Sequence, residues 1–367
     1  MEISAALVTS AEAPFAIEPV ELEAPRADEV LVRVVGVGIC HTDIVLKGGL
    51  APFPLPAVLG HEGSGVVEAV GKDVSAVAVG DHVVMSFLSC GHCGQCEADA
   101  PAYCGDFMLL NYSGARPDGS APLSRDGQPL GSHFFGQSSF ATHALARERS
   151  LVRVDKDLPL EILGPLGCGI QTGAGAVLRS LDLPRGSTLL VAGAGAVGLR
   201  AVMAARLRDC RRIIVIEPAA ERRALALELG ATEAFAPAPG LEAQVLALVP
   251  AGVDAALDTS GNPESLAVCL ASLGIRGVLG LLGSAAPDTP LPGHVNGVLS
   301  RGQSIRGIIE GDSNPQAFIP QLLDYYRAGK FPFDRMMRSY PFAEINRAVE
   351  DHAAGRAVKA VLLMGRQ

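Results

Sequence analysis

Four cysteines crowd into one short segment, and this clustering constrains the fold more than any other feature of the chain. Cys90, Cys93, Cys96 and Cys104 follow the spacing C-x2-C-x2-C-x7-C and make up half of the eight cysteines present. Four thiolates can close a tetrahedral shell around a zinc ion. Glycines between the cysteines permit the tight backbone curl that such a shell needs. The segment therefore predicts a structural zinc site, with a pair of disulfides as the alternative.

Disulfides persist only in an oxidising compartment. The N-terminal segment argues against them because it gives no sign of export to such a compartment. Residues 1–25 contain five glutamates and lack the basic start and apolar run of a secretory signal peptide. No apolar stretch of the sequence reaches the ~20 residues that a membrane-spanning helix needs. We therefore expect a cytoplasmic protein with no membrane partner.

Length and charge narrow the class of protein further. A chain of 367 residues is longer than a single hydrophobic core comfortably supports, so two domains are expected. The net charge of −9 argues against a nucleic-acid-binding zinc module, because phosphate contacts need basic faces. The sequence thus favours a two-domain globular protein that binds no nucleic acid.

A second motif in the middle of the chain indicates a dinucleotide site. An apolar strand at 187–191 runs into the turn G-A-G-A-V-G, which is followed by apolar residues at helical spacing. A further strand ends in Glu217, about 20 residues after the glycines. Backbone at such a turn can approach a pyrophosphate, and the carboxylate can bind both ribose hydroxyls. Because it would repel a 2′-phosphate, NAD is favoured over NADP, although Arg222 and Arg223 could partly offset the repulsion.

The pattern on either side of this motif separates two kinds of architecture. After residue 187, helical and strand patterns alternate, which predicts a doubly wound parallel sheet. The first 150 residues instead show β-rich segments between glycine and proline turns, with no long amphipathic helix. The sequence therefore predicts an α/β protein in which a β-rich domain precedes a nucleotide-binding one.

Three more potential zinc ligands lie outside the cysteine cluster. They are Cys40 in G-I-C-H-T-D, His61 in G-H-E-G and Cys168 in G-C-G. Taken singly, each has an ordinary explanation as a small buried thiol or a hydrogen-bonded histidine. Together, two cysteines and a histidine leave a fourth position open, as a catalytic zinc site requires.

These motifs resemble those of the zinc-dependent medium-chain alcohol dehydrogenases from about residue 5 to the C-terminus. The segment G60-H61-E62-G63-S64-G65-V66-V67, followed by V79-G80-D81-H82-V83, resembles the zinc-histidine signature of that family. The resemblance implies a GroES-like catalytic domain (residues 1–165 and 301–367) and a Rossmann coenzyme domain (166–300). It also implies two zinc ions per chain and a homodimer or homotetramer.

The resemblance assigns roles to individual residues. A catalytic zinc would be held by Cys40, His61 and Cys168, with Glu62 close behind it and Asp43 fixing the tautomer of the histidine. Thr42 would hydrogen-bond the substrate oxygen and take its proton. The coenzyme would contact His41, Gly193, Gly195, Ala196, Val197, Gly198, Glu217, Arg222 and Lys359.

The substrate class is narrowed by positions that differ from the family pattern and by the residues expected to line the substrate site. Liver-type relatives carry a proton-relay histidine where this chain has Val45, so the proton must leave by His41 or by the coenzyme ribose. Members of the glutathione-dependent formaldehyde branch have an acidic residue at the position of Ala51, so the sequence disfavours that branch. The candidate lining residues are all apolar: Phe87, Leu110, Phe134, Phe135 and Ile309. The stretch Phe107–Tyr112, the motif G-x-x-E-G-D at 307–312 and the motif F-P-F-D at 331–334 resemble the aryl-alcohol and allylic-alcohol branch. That resemblance implies NAD-dependent oxidation of a primary aromatic or allylic alcohol to the aldehyde. Long-chain aliphatic alcohols and polyols are the alternatives.

Overall fold

A computed structural model describes residues 1–49 and 52–365, so Ala51 lies outside the described residues. The chain divides into two compact units. The first comprises Met1–Gly169, Asn314–Asp324 and Pro332–Gln367, and the second comprises Ile170–Ser313 and Tyr325–Phe331.

Strands and helices are numbered separately along the chain. The strands are β1 (Glu2–Val8), β2 (Ala16–Leu22), β3 (Glu29–Gly38), β4 (Ala57–Val58), β5 (Gly63–Val70), β6 (His82–Met85), β7 (Leu123–Arg125), β8 (Gln128–Pro129), β9 (His143–Arg147), β10 (Leu151–Val154), β11 (Thr188–Ala192), β12 (Arg212–Ile216), β13 (Glu233–Phe235), β14 (Val253–Asp258), β15 (Leu273–Leu281), β16 (Ser304–Gly307), β17 (Met337–Pro341) and β18 (Lys359–Leu363). The helices are α1 (His41–Lys47), α2 (Gly94–Glu97), α3 (Phe107–Tyr112), α4 (Gly169–Gly175), α5 (Ala196–Leu207), α6 (Ala220–Leu229), α7 (Leu241–Leu248), α8 (Pro263–Ser272), α9 (Val295–Arg301), α10 (Pro315–Arg327) and α11 (Ile345–Ala353).

The first unit is built on two sheets. One has the order β4-β1-β2-β7-β8, and the other has the order β10-β6-β5-β3-β18-β17 with β9 also paired to β3. Strand β3 lies at the centre of the second sheet and pairs antiparallel with β5, β9 and β18. The C-terminal strand β18 therefore completes a sheet that begins near the N-terminus.

Burial patterns explain the strands of this unit. Strand β2 alternates exposed and buried or half-buried positions, as expected of an antiparallel strand with one face on the core. Strand β3 is mostly buried along its length, which fits its central position. The core between the sheets is rich in valine, leucine and phenylalanine, including Phe15 and Phe140.

The second unit contains a parallel sheet with the order β13-β12-β11-β14-β15-β16. Every residue of β11 is buried, as expected of a central parallel strand covered on both faces. From β11 the chain proceeds to β12 and β13 on one side, and from β14 it continues on the other. The carboxyl ends of β11 and β14 thus form a topological switch point, where ligands of doubly wound sheets bind.

Helix boundaries in this unit follow local chemistry. Helix α8 begins after Asn262, whose side chain accepts hydrogen bonds from the N–H groups of Glu264 and Ser265, with Pro263 at the first helical position. Among residues 1–49 and 52–365, none of the helices combines the length and apolar character needed to span a bilayer.

The observed division differs in detail from the bounds predicted near residues 165 and 301. The first unit runs to Gly169, and the second runs to Ser313 because β16 pairs with β15 in the parallel sheet. The predicted fold class, a β-rich domain with a Rossmann-type α/β domain, is confirmed by these two units.

Candidate functional site

The four clustered cysteines converge in the first unit. Their ligand atoms all lie within 4.8 Å of one another. The Sγ atoms of Cys90 and Cys96 are 3.9 Å apart, and those of Cys93 and Cys104 are 4.0 Å apart. A tetrahedron with Zn–S bonds of ~2.3 Å has edges of about 3.8 Å. The arrangement therefore fits a zinc ion.

Disulfide bonding is the alternative for these cysteines, and the geometry excludes it. A disulfide requires an S–S distance of ~2.05 Å, and no cysteine of the chain is disulfide-bonded, all eight being described. Hydrogen bonds from the N–H groups of Gly105 and Cys96 lower the pKa of the Cys93 thiol to about 6, which favours the thiolate that a metal binds.

The second predicted ligand set also converges in the first unit. Ligand atoms of Cys40, His61, Glu62 and Cys168 lie within 4.8 Å of one another. Cys40 directly precedes α1, His61 and Glu62 precede β5, and Cys168 precedes α4. The starts of two helices and one strand thus bring together residues that are far apart in sequence.

His61 is held in the orientation that a metal ligand needs. Its ring is fully buried, and Nδ1 lies 3.0 Å from Asp43 Oδ1. Since a carboxylate only accepts, Nδ1 carries the proton and Nε2 keeps its lone pair. Within the described residues Nε2 is buried without a hydrogen-bond partner. A buried nitrogen facing two thiols is explained by zinc coordination, so the residues fit the ion.

Asp43 also fixes the backbone on both sides of the cluster. Its Oδ1 accepts the Gly60 N–H at 3.1 Å, and its Oδ2 accepts the Cys40 N–H at 3.0 Å. Although burial alone lowers the pKa of His61, the charges of Asp43 and Cys40 raise it well above its usual range. A hydrogen bond with Cys168 lowers the pKa of the Cys40 thiol despite burial.

Behind the ligands lies a buried ion pair. Glu62 pairs with Lys359, and Lys359 Nζ also donates to the Ile39 carbonyl at 3.0 Å. The other carboxylate oxygen of Glu62 accepts the Gly169 N–H at 3.2 Å. Burial raises the pKa of Glu62, against the effect of the Lys359 charge. Lys359, which the family resemblance assigns to the coenzyme, has its ammonium group on Glu62 in this structure.

The predicted hydroxyl and its neighbour lie at the start of α1. Thr42 is half-buried, with its Oγ1 3.6 Å from Cys40 Sγ. His41 is exposed, and Val45 follows one helical turn later. Residues four apart share a helix face, so an imidazole at position 45 would lie beside His41.

The glycine turn lies in the second unit, at the carboxyl end of β11. Gly193 has φ = 97°, a left-handed conformation that favours glycine. Gly195 is the N-cap residue of helix α5 and provides no side-chain cap, so the first N–H groups of the helix are available to an anion. A Cβ added to Gly195 would meet nothing within 4 Å. The turn therefore fits a pyrophosphate.

Glu217 follows β12 and is buried beside this turn. Its carboxylate accepts the N–H groups of Ala194 at 2.8 Å and Ala219 at 3.0 Å. Arg223 donates to the Glu217 and Pro218 carbonyls, whereas Arg222 is half-buried. The Glu217 carboxylate is thus held beside the glycine turn, which is the position expected of an acid that binds the ribose hydroxyls of a dinucleotide.

The apolar candidates for the substrate site divide between the units. Phe87, Leu110, Phe134 and Phe135 are buried in the first unit, while Ile309 is in the second unit and is 45% exposed. Phe134 and Phe135 both contact the ring of His61. The structure thus places two of the five predicted lining residues in contact with His61, a predicted ligand of the catalytic zinc.

Comparisons with known proteins agree with this geometry. Residues 26–156 match the family described as "Alcohol dehydrogenase GroES-like domain", and residues 196–326 match "Zinc-binding dehydrogenase". The chain is 51% identical to a geraniol dehydrogenase of Castellaniella defragrans over 362 residues, which cover 98% of this chain and 97% of the relative. The chain belongs to the zinc-binding alcohol dehydrogenase family. The family predicted from the sequence is thereby confirmed.

Two solved structures of zinc-binding alcohol dehydrogenases share the whole fold. An alcohol dehydrogenase zinc-binding domain protein from Burkholderia ambifaria superposes with a TM-score of 0.97 at 49% identity. A benzyl alcohol dehydrogenase from Acinetobacter calcoaceticus superposes with a TM-score of 0.96 at 43% identity. Each alignment covers 100% of both chains.

Several contacts around the predicted ligands of the catalytic zinc could not be predicted from the sequence. Gln137 donates from Nε2 to the His61 carbonyl and accepts the Gly63 N–H. The pairing of Lys359 with Glu62 is a second such contact. Neither has a local sequence signal, because each joins residues far apart in the chain.

Proposed function

We propose that this enzyme oxidises primary aromatic or allylic alcohols to aldehydes by reversible hydride transfer to NAD. The observation that carries the proposal is the convergence of Cys40, His61 and Cys168, with the buried Nε2 of His61 accepting no hydrogen bond from the part of the chain that the structure describes. Two thiolates and one imidazole leave a coordination position for substrate, whereas the four-cysteine cluster is a closed structural set.

The residues of the first unit would hold and orient the reacting alcohol. A zinc ion bound by Cys40, His61 and Cys168 supplies Lewis acidity, which lowers the pKa of the substrate hydroxyl. Asp43 keeps the His61 ring in the tautomer that presents Nε2. Thr42, beside Cys40, would hydrogen-bond the substrate oxygen and accept its proton while passing its own hydroxyl proton on to His41 or to the coenzyme ribose.

The second unit would bind the coenzyme. The turn at Gly193, Gly195 and Gly198 receives the pyrophosphate, with Ala196 and Val197 contributing the first residues of the helix. Glu217 accepts the ribose hydroxyls and disfavours a 2′-phosphate. NAD bound there supplies the hydride acceptor.

Substrate class is supported by the relatives and by the aromatic lining. Relatives that align over almost the whole chain are a geraniol dehydrogenase and a benzyl alcohol dehydrogenase. Phe107, Tyr112, Phe134 and Phe135 form a network of ring contacts that reaches His61. Phe134 and Phe135 are buried and the other two rings are half-buried. An aromatic environment beside His61 favours flat, conjugated substrates and offers few partners to the extra hydroxyls of a polyol.

We also propose that the enzyme forms a homodimer or homotetramer through its second unit. Among the described strands, β16 ends the parallel sheet and pairs only with β15. Apolar side chains nearby are strongly exposed: Ile275 is 78%, Val295 83% and Leu299 75% exposed. An open strand edge beside an exposed apolar helix suits pairing with a second copy.

The direct test is a substrate panel with purified, zinc-loaded enzyme. It should contain benzyl alcohol, geraniol, a long-chain aliphatic alcohol and sorbitol, each with NAD and with NADP. The proposal expects the highest kcat/KM for benzyl alcohol or geraniol with NAD. Preference for sorbitol or for the saturated aliphatic alcohol would contradict the substrate class, and equal use of NADP would contradict the role of Glu217.

A further inference from the structure

We propose that residues 133–139, the clamp segment, position the imidazole of His61, with Phe135 as the main positioning residue. The inference rests on the proposed metal site, because it concerns how one ligand of that site is held. Its role goes beyond lining a substrate surface: Phe135 would act on the metal through the histidine.

The rings around His61 leave it little freedom to rotate. Phe135 stacks on the imidazole with ring centres 4.6 Å apart and an interplanar angle of 29°. Phe134 meets the same imidazole edge-on, at 5.1 Å and 78°. Asp43 fixes Nδ1 in the ring plane. The carboxylate therefore sets the tautomer, while the two phenylalanines set the ring plane and with it the direction of Nε2.

Hydrogen bonds tie the clamp segment to the backbone that carries His61. Gln137 uses both ends of its amide, donating to the His61 carbonyl at 2.9 Å and accepting the Gly63 N–H at 3.1 Å. The Ser139 N–H donates to the Gly60 carbonyl at 2.9 Å. Any movement of the clamp segment is thus transmitted to the metal ligand.

Close approach of these two segments depends on Gly60. Its φ is 90°, and an added Cβ would lie 2.4 Å from the backbone nitrogen of Phe140. A side chain at this position would separate the residue that follows the clamp segment from the residue preceding His61. The chain thus keeps the two segments closely apposed.

The clamp segment is held in an unfavourable backbone conformation. His133, Phe135 and Ser138 all have positive φ, at 60°, 52° and 53°. Left-handed conformation costs a non-glycine residue roughly 1–2 kcal/mol. A bulky aromatic residue rarely adopts it, and here the result is that its ring stacks on a metal ligand. Strain of this kind concentrates at functional sites.

Removing the stacked ring should therefore weaken the metal site more than the fold. Partners that orient a ligating histidine typically change metal affinity by 10–100-fold. For Phe135→Met, whose flexible side chain keeps much of the volume, and for Phe135→Leu, we expect the affinity of the Cys40–His61–Cys168 site for zinc to fall by about tenfold or more. The four-cysteine site should keep wild-type affinity.

The experiment measures zinc by elemental analysis during dialysis against a graded series of chelator concentrations. Phe15→Leu is the matched control, because Phe15 is buried in the same core and does not contact His61. A second readout is the visible spectrum of the cobalt-substituted protein, which reports ligand geometry without requiring activity. The clamp variants should change this spectrum, and Phe15→Leu should not.

Each outcome decides the matter. Loss of one zinc at a lower chelator concentration in the Phe135 variants, but not in Phe15→Leu, supports the clamp. The proposal would be overturned if the Phe135 variants retained both zinc ions as wild type does and had an unchanged cobalt spectrum. It would also be overturned if both Phe135 variants failed to fold while Phe15→Leu folded. A wild-type protein with only one zinc would instead overturn the proposed metal site itself.

Discussion

At the scale of single residues, Lys359 and Glu62 form a buried ion pair directly behind the predicted ligands of the catalytic zinc. The lysine and glutamate side chains are 2% and 0% exposed. A buried pair adds little net stability over apolar residues, but removal of one partner leaves an uncompensated charge in a dry site. The pair is therefore expected to be sensitive to single substitutions and tolerant of a double one.

We predict that Lys359→Met lowers the free energy of unfolding by about 3–5 kcal/mol, the cost of breaking a buried pair. Urea denaturation of the zinc-loaded protein measures it. The double variant Glu62→Gln/Lys359→Met should recover most of the loss, since no charge is left alone. Arg347→Met, which breaks an exposed pair with Glu344, is the control and should cost about 1 kcal/mol or less. A similarly small effect of Lys359→Met would contradict the argument.

Coenzyme choice is likewise argued at one residue. We predict that Glu217→Ala raises kcat/KM for NADP relative to NAD, because a carboxylate is removed from the site proposed for the ribose. The variant also loses the hydrogen bonds to Ala194 and Ala219, so NAD use should fall. Glu221→Ala, an exposed acid on the next helix, is the control. An unchanged coenzyme ratio in Glu217→Ala would place coenzyme selection elsewhere.

At the scale of elements, the start of β3 is joined by a buried charge network to the segment that precedes the clamp. Arg116 donates to Glu29 from Nε at 2.6 Å and from Nη2 at 3.0 Å. His133 lies in the field of these charges and is buried. Burial, which disfavours the charged imidazole, lowers the pKa of His133 to about 4.

This pKa predicts loss of stability in acid. The unfolded histidine binds its proton near pH ~6.5, whereas the folded one does so only near 4. As pH falls between these values the unfolded state binds more protons, so stability declines by up to about 3 kcal/mol. His133→Asn, which tolerates the left-handed backbone, should flatten this part of the profile. Urea unfolding at pH 4 to 7 measures it, with exposed His294→Asn as control; parallel profiles for wild type and His133→Asn would refute the assignment.

Elements differ in how far the sequence predicts them. The β11–turn–α5 motif is predictable from an apolar run, glycines and helical spacing, all of which are local signals. The two ligand clusters are predictable because cysteines and histidine at these spacings have few other roles. The clamp segment is not, since positive φ at Phe135 and the stacking on His61 are imposed by tertiary contacts rather than by any residue pattern. The Glu62 partner of Lys359 escapes prediction for the same reason.

At the scale of the whole molecule, association through the second unit has a direct consequence. We predict that wild-type enzyme sediments at twice or four times the chain mass, and that Val295→Asp/Leu299→Asp dissociates it by placing charge on the exposed face of α9. Met108→Asp, on an apolar side chain 65% exposed in the first unit, should leave the assembly unchanged. Analytical ultracentrifugation over a range of concentrations measures this. A monomeric wild type, or an assembly unaffected by the α9 substitutions, would contradict the proposal.

The zinc content of the wild type and of two cysteine variants tests the two metal sites most directly. Wild type should contain two zinc ions per chain. Cys168→Ser should lose one zinc and nearly all dehydrogenase activity while its circular dichroism stays unchanged, because only the open site is affected. Cys93→Ser should lower stability first, since a structural zinc site contributes directly to folding. One zinc in the wild type, or Cys168→Ser with full activity, would contradict the assignment of the two sites.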